Sequence, residues 1–136
     1  MSTNLIQDMY VMHSRYKFHE PVNNMSKEDL YEFLKFRFRF LNEELAEGWD
    51  AVDNRDPEEI VDALVDLVVI AIGTLDLFKV NAYSAWDEVL RANLNKKRGV
   101  KESRPNPFGL PDLIKPEGWV GPDHTGNHGL LTKIVE

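Results

Sequence analysis

The sequence predicts an all-α protein, a bundle of four helices followed by an irregular C-terminal tail. Apolar residues recur every three or four positions through the first two thirds of the 136 residues, the spacing typical of helices with one buried face. Residues that favour helix starts and stops lie at the ends of these periodic segments. No segment shows a strand pattern strong enough to name, although residues 130–135 could pair as a short strand.

The first two helices follow from periodicity and capping residues. The first is predicted over residues 4–16, where apolar side chains form one stripe. The second begins with Ser26 as N-cap, and Asp29 three residues later is a weaker form of the acid in a capping box. We expect it to end at Gly48, because glycine is common just after a helix C-terminus.

The third and fourth helices have clear boundaries. The third begins with Asp56 as N-cap, a proline at the first helical position and acids in the first turn, where the helix dipole favours them. It is expected to continue to about Lys79. The fourth follows Asn81 and ends in the three basic residues 96–98 before Gly99.

The composition changes after Gly99. Residues 101–129 are rich in Pro, Gly and Asn, and their aromatic and aliphatic side chains show no period. Pure linkers carry few such side chains. We therefore expect a helical domain over residues 1–100 and, over residues 101–136, an irregular tail packed on the bundle or on a neighbouring subunit.

Composition and charge exclude several classes of protein. A net charge of −7 repels polymeric nucleic acid and anionic membranes, so neither is an expected partner. The absence of cysteine removes disulfides, thiolate zinc sites and cysteine nucleophiles, and fits a reducing compartment. The N-terminus lacks a secretory signal pattern, and the longest apolar run, residues 60–72, is too short to span a bilayer. The sequence predicts a soluble, cytoplasmic protein.

The apolar stripe of the second helix becomes acidic in its last turn. Helical stepping carries the stripe from Phe40 onto Glu44 and Glu47. Glu43 lies one turn before Glu47, so these three carboxylates can converge on one hard cation. The same pattern also fits a solvated helix end, and from this helix alone both interpretations stay open.

The third helix is apolar nearly all round except for a row of acids, which predicts that it is buried. Glu59, Asp62 and Asp66 stand at i, i+3 and i+7, on a single face. Buried carboxylates need a positive partner or must take up a proton. Salt bridges to Arg37 or Arg39 are one possible arrangement, but two opposing acid sets on consecutive helices favour a divalent cation.

Oxygen ligands identify the metal class. They favour Mg²⁺, with Mn²⁺ as a substitute. No histidine stands at Glu-x-x-His spacing beside the acids, which disfavours a di-iron carboxylate site. His13, His19, His124 and His128 lie outside the acid-bearing helices, and we expect them on the surface or in loops rather than as ligands.

The acid pattern resembles a known signature. The stretch EELAE from Glu43 to Glu47, followed by Glu59, Asp62 and Asp66, resembles the EExxE…ExxD signature of the all-α nucleoside triphosphate pyrophosphohydrolases. This superfamily joins MazG-like enzymes, dimeric dUTPases and phosphoribosyl-ATP pyrophosphohydrolases. Residues 62–74, 88–96 and 115–123 are similar to small members often carried by phages, so the resemblance spans about three quarters of the chain.

The second half of the signature aligns in two ways. In one alignment Glu59 and Asp62 form the Glu-x-x-Asp motif and Asp66 is an auxiliary acid. In the other Asp66 is the motif aspartate, Ala63 stands where glutamate is expected, and Asp62 substitutes one residue earlier. Both alignments stay open at the level of sequence.

The resemblance implies a MazG-like catalytic bundle that hydrolyses a nucleoside triphosphate between the α and β phosphates, releasing a monophosphate and pyrophosphate. It implies a Mg²⁺-dependent enzyme of the deoxynucleotide pool, slightly favours dGTP, and implies the host cytoplasm if a phage encodes the chain. Glu43 or Glu44 is the candidate general base. The expected metal ligands are Glu43, Glu44, Glu47, Glu59, Asp62 and Asp66.

Substrate contacts are predicted at two places. Cations and an amide at the end of the fourth helix could meet the triphosphate from the same or a second subunit, although helix-dipole compensation explains them equally well. These residues are Arg91, Asn93, Lys96 and Lys97. The base needs an apolar or aromatic slot, for which the candidates are His13, Tyr16, Phe18 and Trp49.

The sequence is also compatible with two other functions, and it predicts an oligomer. The same carboxylates could hydrolyse phosphoribosyl-ATP in histidine synthesis, or the chain could be a non-enzymatic helical dimerisation module. Aromatic residues between 31 and 40 fall on more than one side of the second helix. Because a surplus apolar face is commonly an interface, we expect a homodimer or a homotetramer.

Overall fold

The computed structural model describes residues 2, 4–103 and 107–135, and it confirms the all-α fold class with the addition of a small sheet. The elements are α1 (Leu5–Arg15), α2 (His19–Asn23), α3 (Lys27–Asp53), α4 (Pro57–Leu77), α5 (Ala82–Leu94), β1 (Lys97–Gly99), β2 (Asp112–Ile114) and α6 (Leu131–Ile134). The predicted second, third and fourth helices correspond to α3, α4 and α5. Within the described residues, no helix has the length and apolar character needed to cross a membrane.

The chain forms two compact units. The first unit comprises Met1–Ala82 together with His128–Glu136, and the second comprises Tyr83–Asn127. The division into residues 1–100 and 101–136 stays a prediction.

Helix starts lie where the capping residues predict them. The Ser26 hydroxyl accepts a hydrogen bond from the Asp29 N–H at 3.1 Å, at the start of α3. The Asp56 carboxylate accepts one from the Glu59 N–H at 3.2 Å, at the start of α4. These side chains occupy donors that have no partner within the helix.

The end of α3 differs from the prediction. The helix continues through Gly48 to Asp53 instead of ending at Gly48. A Cβ built at Gly48 would lie 3.5 Å from the Ala63 Cβ of α4, an ordinary van der Waals contact, so Gly48 faces α4 inside the helix instead of capping it. Packing on α4 therefore keeps Gly48 helical, against its tendency to end a helix.

Three helix ends use a basic residue where glycine is usual. Lys17, Arg55 and Lys79 have φ values of 58°, 52° and 58°, in the left-handed region. After α1, the Lys17 N–H bonds to the Ser14 carbonyl at 3.2 Å and the Phe18 N–H to the His13 carbonyl at 3.0 Å. This is the Schellman pattern, formed here with lysine where glycine is usual.

The core of the first unit is a cluster of Val22, Leu30, Leu77 and Phe78. Half-buried side chains of α3 and of the C-terminal segment pack against it. They are Met25, Phe33, Leu34, Leu130, Leu131 and Ile134. Residues 131–134 are helical, so the short strand considered at residues 130–135 is wrong. The segment attaches through the Leu130 N–H, which donates to the Phe78 carbonyl at 2.6 Å.

The second unit contains a pair of antiparallel strands that the sequence did not predict. Helix α5 ends at Leu94 rather than at Arg98, and β1 pairs antiparallel with β2, with Arg98 opposite Leu113. Gly99 permits this pairing, because a Cβ there would lie 2.5 Å from the Ile114 Cγ1. The tail also packs on α5, where the Trp119 indole N–H donates to the Ala92 carbonyl at 2.7 Å.

Helix α4 is not buried all round, contrary to the prediction. It packs on α3 and α1, and its buried residues are Ala63, Ile70, Gly73 and Leu77. The described part of the chain leaves the opposite side open, with Leu64 59% and Val65 55% exposed. The apolar residues of this open face therefore do not belong to the core of one chain.

Candidate metal and nucleotide site

Four of the predicted acids come together where α3 and α4 face each other. Partial burial, followed by the charges of Glu47, Asp66 and Asp62, raises the pKa of Glu44. Burial, followed by the charges of Asp62 and Glu47, raises the pKa of Asp66. An interaction with Glu44 lowers it and partly offsets this rise. We call Glu44, Glu47, Asp62 and Asp66 the carboxylate cluster. Its mutual repulsion favours binding of a cation.

Local packing explains why these acids meet. Gly48 follows Glu47 and Ala63 follows Asp62, and the two small residues make the close contact between α3 and α4. The acids beside that contact are brought toward one another. On each helix the second acid lies one turn from the first, which keeps both on one face.

One oxygen of the cluster has an unmet hydrogen-bonding capacity. Glu44 Oε2 is buried and has no hydrogen-bond partner among the described residues. A buried carboxylate oxygen without a donor is costly. A hard cation with oxygen ligands fits this position, so the cluster suits Mg²⁺ or Mn²⁺ on chemical grounds.

Two of the predicted ligands stand apart from the cluster. Glu43 is exposed on α3 and Glu59 is exposed in the first turn of α4. Neither contributes to the raised pKa of Glu44 or of Asp66. Their roles as ligands stay predictions.

The expected burial of the α4 acids is wrong for the single chain. Glu59 and Asp62 are exposed, and Asp66 is half-buried. The reason is the open face of α4, since no further element of the described chain covers it. Half-burial of Asp66 nevertheless suffices to raise its pKa.

No arginine of the described residues forms a salt bridge with the carboxylate cluster. Arg37 Nε donates to Thr74 Oγ1 at 2.9 Å and its Nη2 donates to the Ile70 carbonyl at 3.1 Å. Burial lowers the pKa of Arg37. Arg39 is exposed and acts on Glu32. The ion pairs found among the described residues involve no member of the carboxylate cluster.

A second group of donors was not predicted. His13, His19 and Asp76 place one donor atom each within 4.8 Å of one another, a spacing that no three members of the carboxylate cluster reach in the described residues. His13 is helical and only 2% exposed, so the expectation of a surface or loop histidine is wrong for it. The His13–His19 spacing matches no metal motif, and Asp76 is distant in sequence.

The predicted phosphate contacts lie in the second unit, and Arg91 is already engaged there. It donates from Nε to Glu88 Oε2 at 3.0 Å and from Nη2 to the Gly121 carbonyl at 2.9 Å. Lys96 Nζ lies 5.4 Å from the Trp119 ring centroid. Asn93 and Lys97 are exposed. The substrate role of all four residues stays a prediction.

The predicted base-binding residues belong to the first unit. Tyr16 and Phe18 stack with ring centroids 6.0 Å apart, and Trp49 is exposed on α3. His13 contacts Phe18 with its ring, at a centroid distance of 5.7 Å, and binds Asp76 through Nδ1. The aromatic side chains are available for stacking, whereas Nδ1 of His13 is occupied.

Comparison with known families gives a match over residues 15–93. Residues 15–93 match the family model of phosphoribosyl-ATP pyrophosphohydrolase, a segment that includes all six predicted acids. No curated protein matches the chain. Fold and match together define an all-α nucleotide pyrophosphohydrolase, a hydrolase acting on phosphoric anhydrides.

The match covers more than half of the chain, and the chain therefore belongs to the phosphoribosyl-ATP pyrophosphohydrolase family. The resemblance to the all-α pyrophosphohydrolase superfamily is thereby confirmed. Enzymatic activity is shown at the level of this class, a hydrolase acting on phosphoric anhydrides. Members of the family typically depend on a metal ion.

Proposed function

We propose that this protein is a Mg²⁺-dependent nucleoside triphosphate pyrophosphohydrolase that converts a (d)NTP to the (d)NMP and pyrophosphate. The supporting observation is Glu44, whose Oε2 is buried without a hydrogen-bond partner among the described residues. It lies in a carboxylate cluster that no arginine of the described residues neutralises. These features fit a divalent cation beside a position for substrate phosphates.

The residues of the cluster would supply both the ligands and the base. Glu44, Glu47, Asp62 and Asp66 would hold Mg²⁺, which when bound neutralises phosphate oxygens and lowers the pKa of a water. Glu44 is the favoured general base over Glu43, because Glu44 lies within the cluster, where burial and the neighbouring acids raise its pKa. Glu43 is exposed outside the cluster.

The substrate is a deoxynucleotide in this proposal, with dGTP slightly favoured by resemblance to small pool-adjusting relatives. A specific observation favours a second candidate, phosphoribosyl-ATP, since the matching family model carries that description. A metal-bound triphosphate with an activated water is common to both reactions. The two candidates differ in the phosphoribosyl group that phosphoribosyl-ATP carries on its adenine. A panel that includes both substrates distinguishes them.

Assembly as a homodimer or homotetramer is part of the proposal. The open face of α4 carries Val61, Leu64, Val65 and Val68. Contiguous apolar surface of this kind commonly mediates association between copies. Association would remove this face from water and lower the dielectric around Asp62 and Asp66.

The decisive experiment measures pyrophosphate release from a panel of nucleoside triphosphates and phosphoribosyl-ATP with Mg²⁺. Glu44→Gln should lower kcat by about 10²–10⁴ while nucleotide binding persists, because the amide keeps the shape but cannot accept a proton. Glu32→Gln is the matched control, as Glu32 lies on the same helix and pairs with Lys35 at 2.6 Å. Failure to hydrolyse any substrate, or parental rates for both Glu43→Gln and Glu44→Gln, would contradict the proposal.

A further inference from the structure

A compact donor group joins three helices at the far end of α4 from the carboxylate cluster. His13 Nδ1 lies 2.6 Å from Asp76 Oδ2, and His19 Nε2 lies 2.7 Å from the same oxygen. His13 belongs to α1, His19 begins α2, and Asp76 lies in the last turn of α4. Ten residues of helix separate Asp76 from Asp66, or about 15 Å along the axis, so the two groups are distinct sites.

The backbone between the histidines aims both imidazoles at Asp76. Lys17, at φ 58°, reverses the chain between them, and the Phe18 N–H closes the turn on the His13 carbonyl at 3.0 Å. Aromatic rings then hold the imidazoles, with Tyr10 5.0 Å from His19 and Phe18 5.7 Å from His13 between ring centroids. A left-handed lysine is a strained conformation, and here it determines where His19 lies.

Helix α4 makes room for His13. A Cβ built at Gly73 would lie 3.1 Å from His13 Cε1, so any larger residue there would force this ring to shift by a few tenths of an ångström. The buried end of the group is therefore tightly packed. His19 and Asp76 are 24% and 14% exposed, which provides an entry path from solvent on their side.

We propose that His13, His19 and Asp76 form a second metal site, specific for Zn²⁺ or a related first-row transition ion. Two imidazole nitrogens and one carboxylate oxygen are a ligand set that zinc prefers, with a fourth position open to water. The all-oxygen carboxylate cluster instead suits Mg²⁺. The chain would thus hold chemically different ions at the two ends of α4.

The geometry requires only a small adjustment. Tetrahedral zinc with bonds of about 2.0–2.2 Å separates its ligand atoms by about 3.4 Å. Each nitrogen must therefore move about 0.7 Å away from Asp76 Oδ2 as the ion takes the place of the shared hydrogens. Each neutral imidazole keeps its one proton on the other ring nitrogen.

The charge of Asp76 favours a cation at this site, and the charge of Arg37 opposes it. Asp76 forms no ion pair with Lys or Arg among the described residues; its partners are the two histidines. Arg37 approaches Gly73 from α3, with Nη2 3.0 Å from a Cβ built there. Its charge weakens the binding of any cation nearby, so Arg37→Gln is expected to tighten Zn²⁺ binding.

A metal ion at this site would connect α1 and α2 to the end of α4. The alternative is that hydrogen bonds alone connect them, with both histidines donating to Asp76. The two differ in one respect that can be measured, because an amide can replace a hydrogen-bond donor but not an imidazole ligand. His19→Gln makes this distinction, since the partly exposed position tolerates the change.

The test is titration of the metal-free protein with ZnCl₂, followed by Co²⁺ and its visible absorption. We expect Zn²⁺ binding in the Asp66→Asn variant as in the parent, and a loss of at least about tenfold in affinity for His19→Gln and Asp76→Asn. His128→Gln, an exposed histidine of the same unit, is the matched control. Far-UV circular dichroism verifies that each variant is folded.

Two results would overturn the proposal. One is a parent protein that binds no Zn²⁺ at micromolar concentrations. The other is His19→Gln binding Zn²⁺ with parental affinity, which would mean that hydrogen bonds alone connect the helices. Tetrahedral Co²⁺ bands that disappear in His19→Gln and persist in His128→Gln would support it.

Discussion

The Asp66→Asn variant should be more stable than the parent without metal and less stable than the parent with metal. Asp66 interacts unfavourably with Asp62 and Glu47. For half-exposed groups each such repulsion amounts to a few tenths of a kcal/mol after screening by solvent. The metal-free variant should therefore be about 0.5–1 kcal/mol more stable than the parent, a rise of about 2–5 °C in Tm.

Metal should reverse that difference. An ion that binds only the folded state stabilises it by about 2.7 kcal/mol at a hundredfold excess over Kd. The parent should gain this increment with Mn²⁺, and Asp66→Asn should lose most of it because one ligand charge is gone.

The assay is thermal unfolding followed by circular dichroism, in EDTA and across a Mn²⁺ series. Asp87→Asn, the same change at an exposed position of α5, is the control and should alter neither measurement. Lower stability of Asp66→Asn in EDTA, or an undiminished response to Mn²⁺, would refute the reasoning.

Three further predictions follow from the fold and the proposed site. Gly129→Ala should lower the free energy of unfolding, measured by urea denaturation, by about 1–3 kcal/mol, since φ is 51° and a Cβ would collide with the Phe78 carbonyl. Gly126→Ala is the control and should lower it less, because a Cβ at this residue, whose φ is 78°, would lie in open space. Val65→Asp should convert an oligomer to monomer by light scattering, and a monomeric parent would contradict the interface. Lys96→Ala should raise the Kd for a triphosphate with little change in kcat, and an unchanged Kd would remove Lys96 from the substrate contacts.

Helix starts and the rows of acids on α3 and α4 could be predicted from the sequence because both depend on local spacing. Ser26 and Asp56 cap their helices through bonds to a residue three positions away. The acids of α3 and α4 recur at one-turn spacing, so each set shares a face before any tertiary contact is known. Which of the six acids cluster could not be predicted, because that depends on how α3 and α4 pack on each other.

The end of α3, the burial of α4 and the histidine group could not be predicted from local patterns. Arg55 follows the end of α3 in a left-handed conformation that favours glycine, so residue type gave no signal there, whereas α1 and α4 end within two residues of their predicted ends. The open face of α4 has the apolar composition of a core, and a single sequence does not show what covers it. His13 and Asp76 are 63 residues apart in the chain, and only the turn at Lys17 brings His19 to the same oxygen.

The discontinuous first unit has a consequence for folding during synthesis. Leu77 and Phe78 are made well before Leu130, Leu131 and Ile134, yet all five pack in one core. The intervening Tyr83–Asn127 segment forms its own compact unit and must leave the ribosome first. The nascent chain therefore exposes part of its main core until α6 emerges. A chaperone that binds apolar segments would have its longest opportunity in that interval.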